Sequence, residues 1–423
     1  MTPAEMVALL RVQRPEPDGD RRRLARCHTV ADLRAAARRR LPRAVFDYVD
    51  GAAEDEVTMR RNRTAFDEWE LVPSVLCDVG EVGLGTEVLG ARSALPLVLG
   101  PTGFTRMVHP DGELAVARAA AARGIPYTAA TLGTTSLEDI AALEDDASRE
   151  GGAAREDGAS REDAAAAGRP PQWFQLYVWR DRGLCKELIS RARESGYRAL
   201  VLTVDTPVPG ARERDLRNGL TIPPELGLRT LADGARRPRW WWGLLRSEAV
   251  TFANVRHVAG GPQAVMEFVG RQFDPTVSWD DIGWMVEAWG GPFVVKGVLT
   301  AADARRAAAT GVDAVVVSNH GGRQLDRVGA TLTALTEVVD AVGDDLEVLV
   351  DSGFRRGTDI ATALALGARA VLLGRPQLYG LAVGGQAGVE RAVDLLAAEL
   401  RRALQLLGVT DVAQLDRSVL RRR

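Results

Sequence analysis

Lysine, histidine, cysteine and aromatic side chains are all scarce in this chain of 423 residues. The three cysteines, Cys27, Cys77 and Cys185, are odd in number and far apart, which excludes a disulfide framework and a CxxC metal or redox pair. No uncharged stretch reaches the roughly 18 to 20 residues of a membrane-spanning helix, and no signal pattern stands at the N-terminus. We therefore expect a cytoplasmic protein that is soluble or at most peripheral to a membrane.

Charge of one sign is not in excess: 54 basic and 57 acidic side chains give a formal net charge of -3. This balance provides no basic field for gripping nucleic acid, so we expect no nucleic-acid partner. The histidines and cysteines show no metal-ligand spacing, so we expect no metal site. The length suits one large α/β domain or two to three smaller ones.

Only two of the 54 basic residues are lysines, Lys186 and Lys296. A lysine that persists in such a sequence draws attention, because a compact ammonium fits where a guanidinium fork does not. Lys186 lies in a polar, helix-like stretch and is explained by surface exposure. Lys296 ends an apolar run, a position at which we expect a functional side chain.

The order of segments predicts a barrel. Residues 1–29 are rich in arginine and proline and read as a flexible arm, whereas 30–423 read as one domain that begins with helices from Val30 and over 41–51. Eight apolar runs, each followed by a helix-like segment, indicate parallel strands with both faces buried. The rival, a doubly wound sheet, is disfavoured because no GxGxxG follows the first run. We predict an α/β fold, a (β/α)8 TIM barrel with an N-terminal helical extension, from the runs at 95–100, 126–131, 173–178, 199–205, 293–297, 314–318, 346–351 and 370–374.

Two segments interrupt this order. Residues 144–168 are acidic, alanine-rich and repetitive, and we expect a disordered insertion there because the segment has little apolar surface to bury. Residues 210–278 form a long loop after the fourth strand that contains three consecutive tryptophans, Trp240 to Trp242, beside several arginines. Packing over the barrel rim explains these tryptophans, and peripheral membrane contact through 229–246 is the alternative.

Polar side chains end seven of the eight predicted strands, and in a barrel those ends meet at one mouth. His320 is the sharpest of them, because Asp205 at the end of another strand could hold its imidazole and make it a general base. A backbone turn after strand seven and the pair after strand eight lie where barrels bind phosphate groups. The residues concerned are Pro101, Thr102, Gly103, Gln175, Tyr177, Thr203, Asp205, Lys296, Ser318, His320, Arg323, Asp351, Ser352, Gly353, Arg355, Gly374 and Arg375.

Several of these segments together resemble one family. SNHGGRQLD (318–326), DSGFRRGTDI (351–360), LALGARAVLLGR (364–375), FQLYV (174–178), TVD (203–205) and FDYVDGAAEDE (46–56) are similar to motifs of the FMN-dependent 2-hydroxy acid oxidising enzymes. That family includes glycolate oxidase, lactate oxidase and mandelate dehydrogenase, and GPTG (100–103), RERDLRN (212–218) and PRW (238–240) most resemble the mandelate dehydrogenase branch. The resemblance runs from about Val30 to Arg402, apart from the acidic insertion.

The resemblance implies FMN as cofactor and a role for each matched residue. His320 would be the base with Asp205 as its partner, and Arg212 and Arg323 would clamp the substrate carboxylate with help from Tyr48 and Tyr177. Lys296 would place positive charge by the flavin ring where reduction accumulates negative charge. Flavin, ribityl and phosphate contacts would come from Pro101, Thr102, Gly103, Gln175, Thr203, Ser318, Asp351, Ser352, Gly353, Arg355, Gly374 and Arg375.

We therefore predict oxidation of an (S)-2-hydroxy acid, aromatic or otherwise bulky, to the 2-keto acid. Leu132 stands where some relatives carry an aromatic residue and implies a roomier substrate pocket. Gly103, which is alanine in glycolate oxidases, favours a dehydrogenase. We therefore expect a quinone as the electron acceptor, with oxygen as the alternative. Family members are often tetramers, which implies a homo-oligomer. The alternatives are an FMN-dependent barrel isomerase, a flavoprotein of the mycofactocin-maturation type and a flavin-binding protein that has lost catalysis.

Overall fold

A computed structural model describes residues 16–149, 170–220 and 227–423. Its centre is a closed barrel of eight parallel strands in sequential order, as the alternating apolar runs predicted. Every predicted run contains one strand, and the bounds differ by at most two residues at either end. The strands are β1 (Leu97–Leu99), β2 (Tyr127–Ala130), β3 (Gln172–Tyr177), β4 (Ala199–Thr203), β5 (Phe293–Val298), β6 (Ala314–Val317), β7 (Glu347–Val350) and β8 (Ala370–Leu373).

The barrel is filled by side chains and is closed at one end. Val98, Trp173, Val294 and Leu349, from four different strands, belong to one buried apolar cluster inside it. An antiparallel hairpin of Thr86–Val88 and Ala91–Ser93 adds Val88 and Leu89 to this cluster. The Leu89 amide donates to the carboxylate of Glu347, the first residue of β7, so the hairpin covers the N-terminal end of the strands. The C-terminal end of the barrel strands, which the hairpin does not cover, is therefore the end at which we expect the functional site.

Helices surround the barrel, and a second antiparallel pair, Trp69–Leu71 with Leu420–Arg422, ties the last residues to the N-terminal part. Among the described residues no helix is both long and apolar enough to cross a membrane. The helices are α1 (Gly19–Ala25), α2 (Val30–Arg40), α3 (Arg43–Asp50), α4 (Val57–Thr64), α5 (Thr105–Val108), α6 (Gly112–Ala122), α7 (Leu137–Arg149), α8 (Arg182–Glu194), α9 (Glu213–Asn218), α10 (Leu228–Ala235), α11 (Pro238–Arg246), α12 (Pro262–Gln272), α13 (Ile282–Trp289), α14 (Ala301–Ala308), α15 (Thr331–Val342), α16 (Gly357–Ala365) and α17 (Arg375–Leu407).

The structure differs from the predicted N-terminal arm. Residues 19–25 form helix α1, whose first amides are capped by the Asp18 carboxylate. Leu24 is buried, and a Cβ added to Gly384 of α17 would lie 2.7 Å from its Cδ1. An N-cap together with one buried leucine is enough to order a short helix against a larger one. Residues 1–15 of the predicted arm lie outside the described residues.

The two predicted interruptions have different outcomes. Helix α7 continues to Arg149, so 144–149 are helical, and the rest of the predicted insertion lies outside the described residues. The described parts of the connection, 210–220 and 227–278, contain α9 to α12 rather than one open loop. Asn254 fastens the second part to the barrel, because its amide nitrogen donates to the Ala130 and Thr131 carbonyls at the end of β2. These described parts therefore form a wall beside the mouth of the barrel.

Candidate active site

One cavity opens at the C-terminal ends of the strands. Its lining takes residues from the segments after β1, β2, β4, β6, β7 and β8, from β3 and β5 themselves and from helix α3. All the residues predicted for the site line this cavity except Asp205 and Ser318, and each of these two bonds to a residue that does. The lining members are Tyr48, Pro101, Thr102, Gly103, Gln175, Tyr177, Thr203, Arg212, Lys296, His320, Arg323, Asp351, Ser352, Gly353, Arg355, Gly374 and Arg375.

His320 and Asp205 meet as a hydrogen-bonded pair. Nδ1 of His320 lies 2.9 Å from Oδ1 of Asp205. Burial alone would raise the pKa of Asp205, but the nearby imidazole and the Lys296 ammonium outweigh it, so this pKa lies below its ordinary value. An ionised carboxylate at Nδ1 fixes the proton there and leaves Nε2 as the proton-accepting nitrogen. His320 also has a φ of 57°, in the left-handed region that residues other than glycine seldom adopt. Backbone strain of this kind clusters at functional sites.

Lys296 is buried between two oxygen-bearing side chains. Its Nζ lies 2.9 Å from Oγ of Ser318 and 3.0 Å from Oδ2 of Asp351, and its side chain is 6% exposed. Burial lowers the pKa of this ammonium, but the negative charges of Asp351 and Asp205 raise it by more than burial lowers it. The pKa of Lys296 therefore lies above its ordinary value. A charged ammonium therefore stands inside the barrel mouth. The other lysine, Lys186, is exposed beside the Trp284 ring, as its surface interpretation predicted.

Two arginines and two tyrosines form a cationic side of the cavity. The guanidinium carbons of Arg323 and Arg212 lie 4.9 Å and 5.9 Å from the centre of the Tyr48 ring. Burial, together with the positive charge of Arg212, lowers the pKa of Arg323 to about 10. Burial also raises the pKa of Tyr177, so this phenol keeps its proton. Such a set of donors suits a planar carboxylate.

The segments after β7 and β8 follow the predicted phosphate region, with one difference. Gly353 has a φ of 94°, and an added Cβ would overlap the Asn62 carbonyl, so only glycine fits. Arg355 is partly buried, and this burial lowers the pKa of its guanidinium, which leaves it a cation that would gain from an anion. The Arg375 guanidinium, by contrast, donates to three backbone carbonyls, those of Val49, Gly51 and Gly321. Its side chain therefore braces the site, and the direct contact with phosphate predicted for it would use the two remaining N–H groups of Nη1 and Nη2.

Buried polar atoms at the β-strand ends fit a flavin. Nε2 of Gln175 is buried with no hydrogen-bond partner among the described residues, although Gln175 lines the cavity. Thr102 and Thr203 add hydroxyl groups nearby, and Gly103 removes side-chain bulk at the same edge. A ring with carbonyl and nitrogen acceptors would satisfy such a donor, whereas an empty apolar cavity would leave it costly. The residues present therefore fit FMN.

Sequence reasoning missed some residues of the site. Gln377, in the first turn of α17, lies behind the lining, where it donates to the carbonyl of the lining residue Gly100 while its Oε1 is buried without a partner among the described residues. Asp215 lines the cavity 3.7 Å from Nε of Arg212, and burial raises the pKa of its carboxyl. No pattern in the sequence marks these residues, because neither ends a strand. The apolar part of the wall, made of Phe104, Met107, Leu132, Leu220 and Phe273, was missed too, apart from Leu132.

An eight-stranded barrel that carries an imidazole–carboxylate pair, a buried ammonium and paired guanidinium groups at its mouth defines an oxidoreductase of 2-hydroxy acids that uses a flavin. A sequence model described as FMN-dependent dehydrogenase matches residues 37–422. The chain belongs to this FMN-dependent dehydrogenase family, and FMN is its cofactor.

Known relatives cover nearly the whole chain. A putative L-lactate dehydrogenase of Mycobacterium tuberculosis is 44% identical over 97% of this chain and 93% of its own length. An L-lactate dehydrogenase of Caulobacter vibrioides is 43% identical over 93% of this chain and 98% of its own. Among solved structures, the monotopic membrane protein (S)-mandelate dehydrogenase has a TM-score of 0.85 and 39% identity, covering 94% of this chain and all of that one. Mandelate oxidase with (S)-4-hydroxymandelic acid has a TM-score of 0.76 and 38% identity, covering 93% and 98%.

Proposed function

We propose that this FMN-dependent 2-hydroxy acid oxidoreductase acts on a bulky (S)-2-hydroxy acid of the mandelate type and yields the 2-keto acid. The single observation that carries the proposal is the apolar part of the cavity wall, which is built from Phe104, Met107, Leu132, Leu220 and Phe273. It adjoins the cationic side, because Phe104 and Phe273 pack edge-on against Tyr48 and Tyr177. Such a surface gains from an aromatic or long apolar substituent and gains little from the methyl group of lactate. L-lactate is the second candidate, favoured by the names of the sequence relatives.

The residues would divide the work as follows. Arg323 and Arg212 bind the substrate carboxylate, and the phenols of Tyr48 and Tyr177 fix its rotation. Nε2 of His320 takes the proton, and Asp205 stabilises the imidazolium that results. Bound FMN supplies a two-electron acceptor. Lys296, held by Ser318 and Asp351, would keep a positive charge beside the flavin ring, where reduction accumulates negative charge.

A substrate panel under anaerobic conditions tests this function. We expect mandelate to bleach the yellow FMN absorbance faster than lactate, glycolate or a long-chain 2-hydroxy acid. Faster bleaching by lactate would move the assignment to the second candidate. Failure of every acid would contradict the proposal and favour an isomerase, a flavoprotein of the mycofactocin-maturation type or a flavoprotein without catalysis.

The acceptor is the second half of the proposal. A quinone analogue should reoxidise the enzyme faster than oxygen does. Gly103 favours this outcome, and so does the membrane contact that we propose below for helix α11. Oxygen outpacing the quinone would identify an oxidase instead. We also propose a homotetramer, which sedimentation of the FMN-loaded enzyme would test directly.

Peripheral membrane contact through 229–246 belongs to the same proposal. Trp240 and Trp241 pack inward, and Nε1 of Trp240 donates to the Met107 carbonyl at 2.7 Å, so part of the tryptophan run has the packing role. Trp242 is 59% and Leu245 is 74% exposed on the outer face of α11, where apolar side chains suit a lipid interface.

Replacing Trp242 and Leu245 by serine should weaken binding to neutral and to anionic vesicles by the same factor, because apolar contact does not depend on headgroup charge. Sedimentation with vesicles measures the bound fraction. Serine at Val75 and Leu406, which are 79% and 65% exposed elsewhere, is the matched control and should leave binding unchanged. Equal binding by both variants would contradict a membrane role for α11.

A further inference from the structure

Arginines crowd one concave surface away from the active site. Helices α1, α2 and α11 contribute to it, and it is distinct from the cavity at the barrel mouth because the two have no lining residue in common. Five arginines and one carboxylate line it, and Arg23 and Arg239 also lie within 4.0 Å of a second carboxylate, Asp20. The lining residues are Gly19, Arg22, Arg23, Arg26, Cys27, Asp32, Ala35, Ala36, Arg39 and Arg239.

Most arginines of the neighbouring helices are neutralised, but three on this surface are not. Arg34 lies 2.5 Å from Asp50 and Arg40 lies 2.7 Å from Asp20. Arg22, Arg26 and Arg39, in contrast, have no acidic group within 4.0 Å among the residues that the structure describes. Their three positive charges therefore remain available to a ligand.

The acid within the surface does not compensate for this charge. Asp32 is the capping-box residue of α2, and its Oδ2 accepts from the amides of His28 and Thr29 and from the Thr29 hydroxyl, each at 2.9 Å. Residues 1–15, which precede the surface in the chain, add two arginines and one acid, Glu5, and so offer no net negative charge to cover it. The complementary partner must bring anionic groups of its own.

The surface continues onto the outer face of α11. Arg239 lines it, and Trp242 and Leu245 follow at helical spacings of three residues, so all three share one side of the helix. Helix α11 and the segment before it are fixed to the rest of the protein, since Nε of Arg237 donates to the Leu41 carbonyl at 3.2 Å. Exposed apolar groups and free guanidinium groups thus meet on one rigid face.

We propose that this arginine surface binds the phosphate of an anionic lipid headgroup while Trp242 and Leu245 enter the lipid interface. Guanidinium groups bind phosphate oxygens in pairs, and basic clusters next to an interfacial helix favour anionic membranes. The inference rests on the proposed membrane contact. It adds a headgroup preference that apolar contact alone would not give.

Vesicle sedimentation with the FMN-loaded enzyme, at about physiological salt, tests the proposal. The vesicles consist of phosphatidylcholine with and without about 30% phosphatidylglycerol. Replacing Arg22, Arg26 and Arg39 by serine should weaken binding to the phosphatidylglycerol vesicles about 100-fold, as expected when three basic side chains leave an anionic surface. Binding to pure phosphatidylcholine and FMN reduction by a hydroxy acid should stay as in the unaltered enzyme.

The control removes equal charge elsewhere: Arg305, Arg369 and Arg402 are exposed and likewise have no acidic group within 4.0 Å among the described residues. If this control loses as much binding, the effect is net charge and the site is overturned. Unaltered binding by the first triple variant overturns it as well. A second arm titrates pyrophosphate by calorimetry: binding that needs Arg22, Arg26 and Arg39, without any preference for phosphatidylglycerol, would overturn the lipid source and leave a soluble phosphate compound as the ligand. Failure of the substrate panel, by contrast, would leave these vesicle results unaffected.

Discussion

His320→Gln should slow FMN reduction by a hydroxy acid by about 10²- to 10⁴-fold, the range for loss of a general base. Glutamine keeps a polar side chain of similar reach, but it cannot accept a proton at neutral pH. FMN should remain bound, because the groups proposed to hold it, such as Gln175 and Arg355, are untouched. Rapid-mixing absorbance under anaerobic conditions measures the reduction, and the flavin spectrum before mixing measures FMN content.

His109→Gln is the matched control for this prediction. His109 is also partly buried and has a carboxylate nearby, that of Asp111 at 3.6 Å from Nδ1, but its Nδ1 accepts from the Asp111 amide and it does not line the cavity. This variant should reduce at the normal rate. A His320→Gln enzyme that reduces normally, or one that loses FMN while residual holoenzyme reacts normally, would mean that His320 has a structural role only.

The barrel was predictable because its strands are short, apolar and bounded. Val315, Val316 and Val317 are buried on both faces of the sheet, so the run carries no polar interruption until Ser318. The same reasoning located the site, since polar residues that end parallel strands must share one edge. His320 and Asp205, 115 positions apart in sequence, meet for this reason alone.

Other features depend on contacts that no local pattern encodes. The Arg375 guanidinium bonds the end of α3, more than 320 positions earlier, and its sequence neighbours indicated a phosphate ligand instead. Helix α1 was missed because seven residues carry little periodicity, and its order comes from Leu24 against α17. Gln377 was missed because its partner, the Gly100 carbonyl, lies 277 positions earlier in the chain. These features come from long-range contacts, which the periodicity of strands and helices does not encode.

Arg323→Met should lower kcat/KM for a hydroxy acid by about 10³-fold, in the range expected when one partner of a buried ion pair is removed. The partly buried guanidinium donates through Nη1 to the Tyr48 and Gly51 carbonyls, and no acceptor for Nε or Nη2 occurs among the described residues. The pKa of Arg323 is lowered to about 10, by burial and by Arg212, so it stays a cation at neutral pH. A substrate carboxylate would accept from the unpaired N–H groups of Arg323 and stabilise its positive charge. Methionine offers the carboxylate neither a donor nor a charge.

The comparison of variants and substrates separates a carboxylate clamp from a structural brace. Arg323→Lys should recover part of the loss, because an ammonium restores the charge but not the two-pronged geometry. The methyl ester of the hydroxy acid should react at similar rates with the Met variant and the unaltered enzyme, since it carries no carboxylate to bind. Arg327→Met is the control, because Arg327 is 65% exposed and pairs with Asp55 at the surface. Equal losses for acid and ester would contradict the clamp and assign Arg323 to holding the Tyr48–Gly51 segment in place.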